Sequence, residues 1–379
     1  MTDSESEGAY DVWPAAEVVG SGDLVGREDI IDAIATRLAG RSVLLAAPRR
    51  VGKTCVARET LRRLSAKGYL TASVDFFRIS SKRDFAEVLT KQLLEASHSL
   101  RSRLRRLAST VTRAANSVQP HITLAETEFG IRLGAKDEDE NHLFQQALQL
   151  PEQLAEREDR HVAILMDEFQ EADRNLGPDV YRIMRSYFQE QHRTQQLFAG
   201  SRASLLRKLF TAPRAALLRY ATEVPLPWPS FDDWETYIRS KYASAGISCS
   251  ASVARAIVTT TAGHPADTME LCQQLHSATQ QASLQELDTD LLAVAERRAE
   301  GALRPVFDEI WEDLGSTRYS RRLAQRVAQG LPPYGDELHS QLTVDALNAL
   351  MDKGVLEHVG RHYRFPEPLF EHYVTSMLP

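Results

Sequence analysis

The spacing of apolar residues along the chain predicts helices that alternate with buried strands. Four apolar residues recur at helical spacing near the start and are followed by a glycine that can end a helix: Ile30, Ile31, Ile34, Leu38 and Gly40. A short apolar run at 43–47, bounded by Pro48, is typical of a buried strand. Further predicted strands lie at 70–77, 162–166, 197–199 and 223–226, and predicted helices at 52–66 and about 82–108. Strands separated by helices predict an α/β fold with a parallel sheet covered on both faces.

Residues 109–141 interrupt this alternation. The runs 122–126 and 129–133 alternate apolar with polar residues, which predicts a β-hairpin inserted into the α/β core. The acidic run that follows, at 137–140, predicts a solvated loop.

The pattern changes again after three closely spaced prolines, Pro225, Pro227 and Pro229. A helical block follows, over 230–301, and 302–379 reads as two or three helices and then a small hairpin around Gly360. That order predicts a winged-helix-like domain at the end of the chain. We therefore expect a core at 24–229, a helical domain at 230–301 and a winged-helix-like domain at 302–379.

Length and composition agree with two or three soluble domains. The chain has 379 residues, of which 26% are charged and 43% hydrophobic, so wholesale disorder, collagen and a disulfide scaffold are excluded. The three cysteines, Cys55, Cys249 and Cys272, form no CxxC pair, and a reducing compartment fits them. The apolar runs are too short to span a bilayer and no signal peptide is recognisable, so we expect a cytoplasmic protein without membrane contact.

The net charge of −7 comes from 45 basic and 52 acidic residues and argues against a protein that coats nucleic acid with its whole surface. Residues 1–23 hold six acids and no Lys or Arg, which predicts a disordered acidic tail. This segment carries −6 of the charge and leaves −1 for residues 24–379. The folded part of the chain is therefore nearly neutral, and net acidity weighs little against a local nucleic-acid contact.

The strongest motif is the run Ala-Pro-Arg-Arg-Val-Gly-Lys-Thr at 47–54, which follows a predicted strand and opens a predicted helix. This is the context of a P-loop, in which backbone N–H groups and a helix N-terminus hold phosphates. We expect Lys53 to reach the outer phosphates of ATP and the Thr54 hydroxyl to ligate Mg²⁺. Ala47 stands where the motif has its first glycine, and the alternative is a chance match in a loop. The predicted nucleotide-binding residues here are Pro48, Arg49, Arg50, Val51, Gly52, Lys53, Thr54 and Cys55.

A second motif ends the predicted strand near 162–166 with two acids, Asp167 and Glu168. An apolar strand that ends in Asp-Glu is the Walker B pattern. Asp167 is then expected to hold Mg²⁺, and Glu168 to polarise the attacking water as a general base. The alternative is a strand that ends at two surface acids.

A third candidate is Ser201, which follows the predicted strand at 197–199. A serine beside the γ-phosphate can sense hydrolysis by hydrogen bonding, and the alternative role is a helix N-cap. Four cations follow it in the chain: Arg207, Lys208, Arg214 and Arg219. One of the arginines can serve as an arginine finger, which requires an oligomer if it acts on a neighbouring subunit. The alternative for each is an ordinary surface arginine.

Together these segments resemble the AAA+/STAND class of P-loop ATPases, and within it the archaeal-type ATPase and Orc1/Cdc6-like group. The segments that carry the resemblance lie in the family's order at 24–28, 47–54, 165–170, 198–201, 263–265 and 363–370. The resemblance covers about 24–379. It implies an ATP-binding protein that hydrolyses ATP with Mg²⁺, with 230–301 as a helical lid.

The resemblance also implies roles for individual positions. Val25 and Gly26 match the segment that lies against the adenine and ribose, and Pro265 matches the lid proline near the base. Arg214 and Arg219 match the stretch in which this group carries arginines after the sensor strand. No arginine occurs at 266–275, where a lid arginine is expected, so a nucleotide-controlled switch fits better than a hexameric motor.

For the C-terminal domain, the pattern predicts a helix capped by Thr343 and ended by Gly354. Its predicted buried stripe consists of Val344, Leu347, Leu350 and Met351. Residues 303–379 contain eight Lys or Arg and eleven Asp or Glu, so a protein-interaction or autoinhibitory module is favoured over DNA binding. The main basic cluster lies elsewhere: Arg101, Arg103, Arg105, Arg106 and Arg113. It predicts either a nucleic-acid or acidic-partner contact or a solvated helix that pairs with 137–140.

The sequence thus leaves two main hypotheses. In the first, the protein is an ATP-hydrolysing switch that passes its nucleotide state to a C-terminal module and a protein partner. In the second, it is an Orc1/Cdc6-like DNA-binding protein in which ATP sets the conformation with little turnover. A scaffold with a vestigial nucleotide site is a weaker third, because Lys53, Thr54, Asp167 and Glu168 are all present.

Overall fold

The computed structural model describes residue 13 and residues 20–97, 139–316, 318–334, 340–360 and 362–377. The predicted hairpin at 109–141 lies outside these residues except at its end, and so do the arginines at 101–113 and most of the predicted acidic tail. Of the predicted acidic loop at 137–140, residues 137 and 138 also lie outside, Asp139 is exposed as predicted, and Glu140 already begins a helix. There Asp139 caps a helix by accepting the N–H of Asn141 at 3.0 Å, because an aspartate satisfies the exposed amides of a first turn.

The chain divides into two compact units. One, which we call the sheet unit, consists of Glu28–Ala47 and Lys53–Leu226. The other, the helical unit, consists of Met1–Arg27, Pro48–Gly52 and Pro227–Pro379. The division crosses the predicted P-loop, so that residues 48–52 group with the C-terminal part of the chain. The domain boundaries drawn from the sequence stay predictions.

Within its described residues, the sheet unit holds a five-stranded parallel sheet in the order β2-β3-β4-β1-β5. Its strands are β1 (Val43–Ala46), β2 (Leu70–Asp75), β3 (Val162–Asp167), β4 (Thr194–Gly200) and β5 (Thr222–Glu223). Its helices are α1 (Glu28–Arg37), α2 (Lys53–Ala66), α3 (Lys82–Ala96), α4 (Glu140–Glu158), α5 (Ala172–Leu176), α6 (Val180–Phe188) and α7 (Ala203–Thr211). The predicted α/β class with a parallel sheet is confirmed.

Strand β4 is longer than the apolar run at 197–199 predicts. It begins with Thr194, Gln195 and Gln196, which are polar yet buried. Gln196 is satisfied inside the fold because its Oε1 accepts hydrogen bonds from the Ser42 hydroxyl at 2.8 Å and the Tyr220 hydroxyl at 2.7 Å. These hydrogen bonds, to side chains far away in the sequence, offset the cost of burying the Gln196 amide, and a hydropathy pattern does not report them.

The parallel register brings the functional strand ends together. Asp75 at the end of β2 lies opposite Asp167 at the end of β3, and Ala46 of β1 lies opposite Gly200 of β4. Because the carboxyl ends of parallel strands meet at one edge, this edge presents Asp167 and the residues that follow β1 and β4.

The helical unit is built largely from helices. They are α8 (Phe231–Ser244), α9 (Ala251–Thr260), α10 (Pro265–Gln281), α11 (Thr289–Asp313), α12 (Arg318–Ala328), α13 (Ser340–Asp352) and α14 (Pro368–Ser376). Strands β6 (Glu357–Val359) and β7 (His362–Arg364) form an antiparallel hairpin between α13 and α14. This order of helices and hairpin agrees with the predicted winged-helix-like domain. No helix in the described ranges is both long and apolar enough to cross a membrane.

Two hydrophobic cores share helix α11. Leu292 and Ala295 belong to the core of the predicted lid, whereas Ala299, Leu303 and Phe307 belong to the core of the C-terminal domain. The boundary predicted between 301 and 302 therefore falls inside one continuous helix of 25 residues. The buried apolar stripe of that helix continues past residue 301, and its two parts pack into the two cores.

The predicted tail contributes one residue to the lid core. Trp13 is 2% exposed, and its ring centroid lies 4.9 Å from that of Tyr242. Nearby in the chain, the Asp23 carboxylate accepts a hydrogen bond from the Tyr237 hydroxyl at 2.7 Å and pairs with Lys241 at 2.6 Å. A single aromatic residue in an acidic segment is a weak sequence signal, and these contacts were not predicted.

The predicted cap and stripe of α13 need correction. The helix begins at Ser340, so Thr343 lies within it, where it is buried and hydrogen-bonded to the Tyr319 hydroxyl at 2.9 Å. Val344 is 40% exposed. The buried face of the helix consists of Thr343, Ala346, Leu347 and Leu350, which recur at helical spacing, and Val344 faces solvent.

Candidate nucleotide-binding site

The end of the P-loop and the end of β3 meet in the sheet unit. Lys53 and Thr54 begin α2, and the Lys53 side chain is almost fully buried, with 5% of the residue exposed. The Thr54 hydroxyl donates a hydrogen bond to Asp167 Oδ2 at 2.9 Å. A hydroxyl and a carboxylate oxygen are ligands that Mg²⁺ prefers, so this pair fits the predicted metal.

Burial raises the pKa of Asp167 above its ordinary value. The hydrogen bond from Thr54 opposes this shift, and the nearby negative charges of Glu168 and Asp75 add to it. The ionised carboxylate is therefore held at a free-energy cost in the fold without a cation. A bound cation offsets that cost and favours the ionised form.

Replacing Asp167 with asparagine is expected to stabilise the nucleotide-free protein at neutral pH. Since the folded-state pKa lies above the unfolded one, the stability contributed by protonated Asp167 is present at low pH and is lost as the pH rises through the folded-state pKa. Asparagine stays neutral, so the melting temperature of Asp167→Asn should exceed that of the wild type at pH 7 and converge with it towards pH 4. Thermal denaturation across this range, with the exposed mid-helix Glu87→Gln as control, measures the difference. A variant that melts below the wild type at pH 7 contradicts the expectation.

Glu168 and Ser201 also lie together. Glu168 has φ +50°, a left-handed conformation that is uncommon for a residue with a side chain and is often found at functional sites. Its Oε2 accepts hydrogen bonds from the Ser201 N–H at 3.0 Å and the Ser201 hydroxyl at 2.8 Å. The Ser201 hydroxyl therefore does not act as a helix N-cap, because α7 starts after Arg202 without a side-chain cap.

Sequence reasoning missed Gln170. Its side-chain amide donates to the same Glu168 oxygen at 2.6 Å, and the residue is buried. A side chain at Gly200 would collide with this amide, so the glycine of β4 leaves the space that Gln170 occupies. The available signal was its position three residues after Asp167. Together, Gln170 and Ser201 fix the direction of the Glu168 carboxylate.

The two candidate finger arginines do not join this cluster. Arg214 and Arg219 lie between α7 and β5 and are exposed, and neither side chain forms a hydrogen bond or ion pair within the described part of the chain. Arg207, by contrast, pairs with Glu223 at 2.7 Å and donates to the Ala46 carbonyl at 3.1 Å. The structure thus brings none of these three arginines to Glu168 inside one chain.

The remaining predicted nucleotide-binding residues lie mostly in the helical unit. Gly26 has φ +61°, and a side chain there would come within 2.7 Å of the Asp233 carboxylate, so only glycine fits. The neighbouring Arg27 is buried and donates to the carbonyls of Val51, at 3.0 Å, and Pro227. Arg27 thereby ties the segment of Val25 and Gly26 to the P-loop, a contact that the sequence did not reveal.

Pro265 is the first residue of α10, where its missing N–H is not needed. The preceding His264 is fully buried, and its Nδ1 accepts the Asp267 N–H at 3.3 Å. Pro48 also lies in this unit, whereas Cys55 lies on α2 in the sheet unit and is buried. Burial of Cys55 is consistent with packing, and a contact of its side chain with nucleotide stays a prediction.

The two P-loop arginines contact the C-terminal domain. Arg49 donates to the Lys353 carbonyl at 3.0 Å, and Arg50, with φ +64°, pairs with Glu367 at 3.2 Å. Neither contact was predicted, because the partners are more than 300 positions apart in the sequence.

The sequence of the sheet unit agrees with a known family. A family model described as "AAA ATPase domain" matches residues 23–199. Residues 23–199 are thus similar to an AAA ATPase domain. This domain holds the P-loop motif, Asp167 and Glu168, so the resemblance drawn from the motifs is confirmed here. A search of curated proteins found no match to the chain.

Solved structures show a likeness of fold over nearly the whole chain. The Walker-type ATPase PABY2304 of Pyrococcus abyssi is 14% identical, with a TM-score of 0.69, and the alignment covers 96% of this chain and 99% of the relative. The ORC2 protein of Aeropyrum pernix, in ADPNP–ADP complexes, is 16% identical with a TM-score of 0.54, over 92% and 93% of the two chains. Its ADP form gives 14% identity and a TM-score of 0.53, over 96% and 98%. These likenesses show the fold.

Proposed function

We propose that the protein is an AAA+/STAND-type molecular switch that binds and hydrolyses ATP with Mg²⁺ and passes its nucleotide state to the C-terminal domain. The observation that carries the proposal is the cluster at the carboxyl edge of the sheet, where Thr54 contacts Asp167 and Ser201 contacts Glu168. The ADP and ADPNP named for the ORC2 structures support nucleotide binding by the same fold.

Each residue of the cluster has a defined task in this proposal. Lys53 binds the outer phosphates, and Thr54 and Asp167 hold Mg²⁺. Bound Mg²⁺ neutralises charge on the phosphates. Glu168, aimed by Gln170 and Ser201, accepts a proton from the attacking water. The contact between Ser201 and Glu168 links the sensor position directly to the base.

Nucleotide specificity and oligomerisation belong to the same proposal. The family resemblance assigns Val25, Gly26 and Pro265 to the adenine and ribose and 48–55 to the phosphates, and we propose these roles. Arg214 and Arg219 are both exposed, and either one can complete the nucleotide site of a second copy of the chain. We therefore propose a nucleotide-dependent homo-oligomer. The protein acts in the cytoplasm.

The C-terminal domain is proposed to bind a protein rather than DNA. The exposed face of α13 carries Gln341, Leu342, Val344, Asp345, Asn348 and Ala349, without Lys or Arg. A surface that binds the DNA backbone is usually rich in Lys and Arg, whereas exposed apolar residues beside an acid suit a protein surface. The second candidate is an Orc1/Cdc6-like DNA-binding protein with little turnover; the motif resemblance to that group supports it, and the fold is shared with ORC2.

One experiment separates the two candidates. Glu168→Gln protein, with and without ATP, is used to capture partners and to bind a labelled DNA duplex at low and moderate salt. We expect an ATP-dependent protein partner that is lost when Leu342 and Val344 are both changed to Asp, while ATP binding persists. Salt-sensitive duplex binding with no dependence on Leu342 and Val344 would instead support the DNA-binding candidate.

A further inference from the structure

The C-terminal domain places a buried carboxylate on the P-loop. Glu367 Oε2 lies 3.2 Å from the Arg50 guanidinium, and the Glu367 side chain is 6% exposed against 31% for that of Arg50. Beside this pair, Arg49 donates to the Lys353 carbonyl at 3.0 Å. All four residues belong to the helical unit. Both arginines that the sequence assigns to nucleotide thus contact C-terminal residues in this structure.

Glu367 is not needed by its own helix. It occupies the N-cap position of α14 but makes no side-chain capping hydrogen bond. The helix start is capped instead by Asp267 of α10, whose Oδ2 accepts the Leu369 N–H at 2.9 Å. The Glu367 carboxylate is therefore committed to Arg50, while Asp267 attaches the same turn to the lid.

A further contact also attaches this segment to the lid side of the unit. The Arg364 guanidinium lies 5.1 Å from the centre of the Trp228 ring, and Trp228 packs on His264 at 5.6 Å between ring centroids. Residues 364–369, which we call the linking segment, thus have two kinds of attachment. One leads to the P-loop through Glu367, and the other leads to the lid through Asp267 and Trp228.

The Arg50 guanidinium cannot make its full set of hydrogen bonds to Glu367 and to a phosphate group at the same time. A guanidinium beside phosphates forms its strongest hydrogen bonds with them, since both are charged. That leaves a buried carboxylate without its counter-charge and close to further negative charge, which is costly. The Glu367 carboxylate and the phosphates are therefore competing acceptors for the Arg50 guanidinium.

We propose that Glu367 and the nucleotide phosphates compete for Arg50, so that nucleotide binding detaches the linking segment from the P-loop; this regulation rests on the proposed function. Asp267 keeps the start of α14 attached to the lid when the Arg50 contact is lost. The linking segment then keeps only its attachment to the lid, and the Arg50–Glu367 ion pair couples this segment to the nucleotide.

The test is ATP affinity in the Glu168→Gln background, where hydrolysis does not enter, measured by isothermal titration calorimetry with Mg²⁺. Adding Glu367→Gln keeps the side-chain shape and removes the charge, and we expect about a tenfold gain in affinity, within the usual range of coupling between sites. The control is Glu371→Gln, which removes a charge one turn further along α14 where no ion pair to the P-loop exists in the described residues. It should leave the affinity unchanged.

A double-mutant cycle with Arg50→Asn assigns the effect to the pair. Asparagine tolerates the positive φ of this position, and in its presence Glu367→Gln should no longer change the affinity. Unchanged or weaker binding in Glu367→Gln overturns the inference and leaves the ATPase proposal intact. Binding without hydrolysis in the wild type overturns the ATPase proposal alone, and no nucleotide binding overturns both.

A second measurement needs no substitution at Glu367. Hydrogen–deuterium exchange of peptides covering 353–370 should rise in the Glu168→Gln protein when Mg²⁺ and ATP are added, because the linking segment has lost its P-loop contact. Exchange that stays constant or falls on ATP binding contradicts the inference.

Discussion

Replacing Glu168 with glutamine is expected to lower the rate of ATP hydrolysis by at least about 100-fold while ATP binding is retained. A positioned general base contributes about 10²- to 10⁴-fold to the rate, and glutamine cannot accept the proton. Glutamine has the same shape, and its carbonyl oxygen can still accept the hydrogen bonds from Ser201 that hold Glu168. The fold and the nucleotide contacts are therefore expected to survive.

The measurement is steady-state phosphate release with Mg²⁺, together with calorimetric ATP binding for the same samples. Gln170→Ala serves as a graded comparison, because it removes one of the donors that aim Glu168 but leaves the carboxylate. It should reduce turnover by a smaller factor than Glu168→Gln. A wild-type rate of phosphate release no higher than that of Glu168→Gln would contradict the proposal that the protein hydrolyses ATP.

Replacing Lys53 with alanine is expected to weaken ATP binding by more than about 100-fold. Lys53 begins α2 and is buried next to the P-loop, so its ammonium group has few degrees of freedom to lose on binding. Charge-assisted hydrogen bonds are worth about 1.5–3 kcal/mol each, and contacts to two phosphates together exceed the ~2.7 kcal/mol of a 100-fold change. Alanine is a good helix former, so α2 should remain folded.

Calorimetric titration with ATP measures this loss, and circular dichroism confirms the fold. The matched control is Lys67→Ala, which removes an exposed lysine just beyond the end of α2 and should bind ATP like the wild type. An affinity of Lys53→Ala within about threefold of the wild type would show that this lysine does not contact the phosphates.

The parts of the fold that rest on local pattern could be predicted from the sequence. The P-loop and the Asp-Glu pair are short motifs between a strand and a helix, and the parallel register then places Thr54 beside Asp167. The α/β class could also be predicted, because each strand and each helix shows its own apolar periodicity within a short stretch of sequence.

What could not be predicted depends on contacts between distant residues. The polar start of β4 is stabilised by Ser42, some 150 positions earlier, and Arg50 meets Glu367 more than 300 positions later. The burial of Trp13 is of the same kind, because its partners Tyr237 and Tyr242 lie in the lid. No spacing rule within a window of residues encodes such pairs.

The shared helix α11 has a mechanical consequence. With 25 residues at 1.5 Å each it is about 37 Å long, and one end is embedded in the lid core and the other in the C-terminal core. A tilt of about 10° at the lid end displaces the far end by about 6 Å, more than one helical turn. A rigid helix of this length would therefore turn a small tilt of the lid into a larger displacement of the C-terminal core.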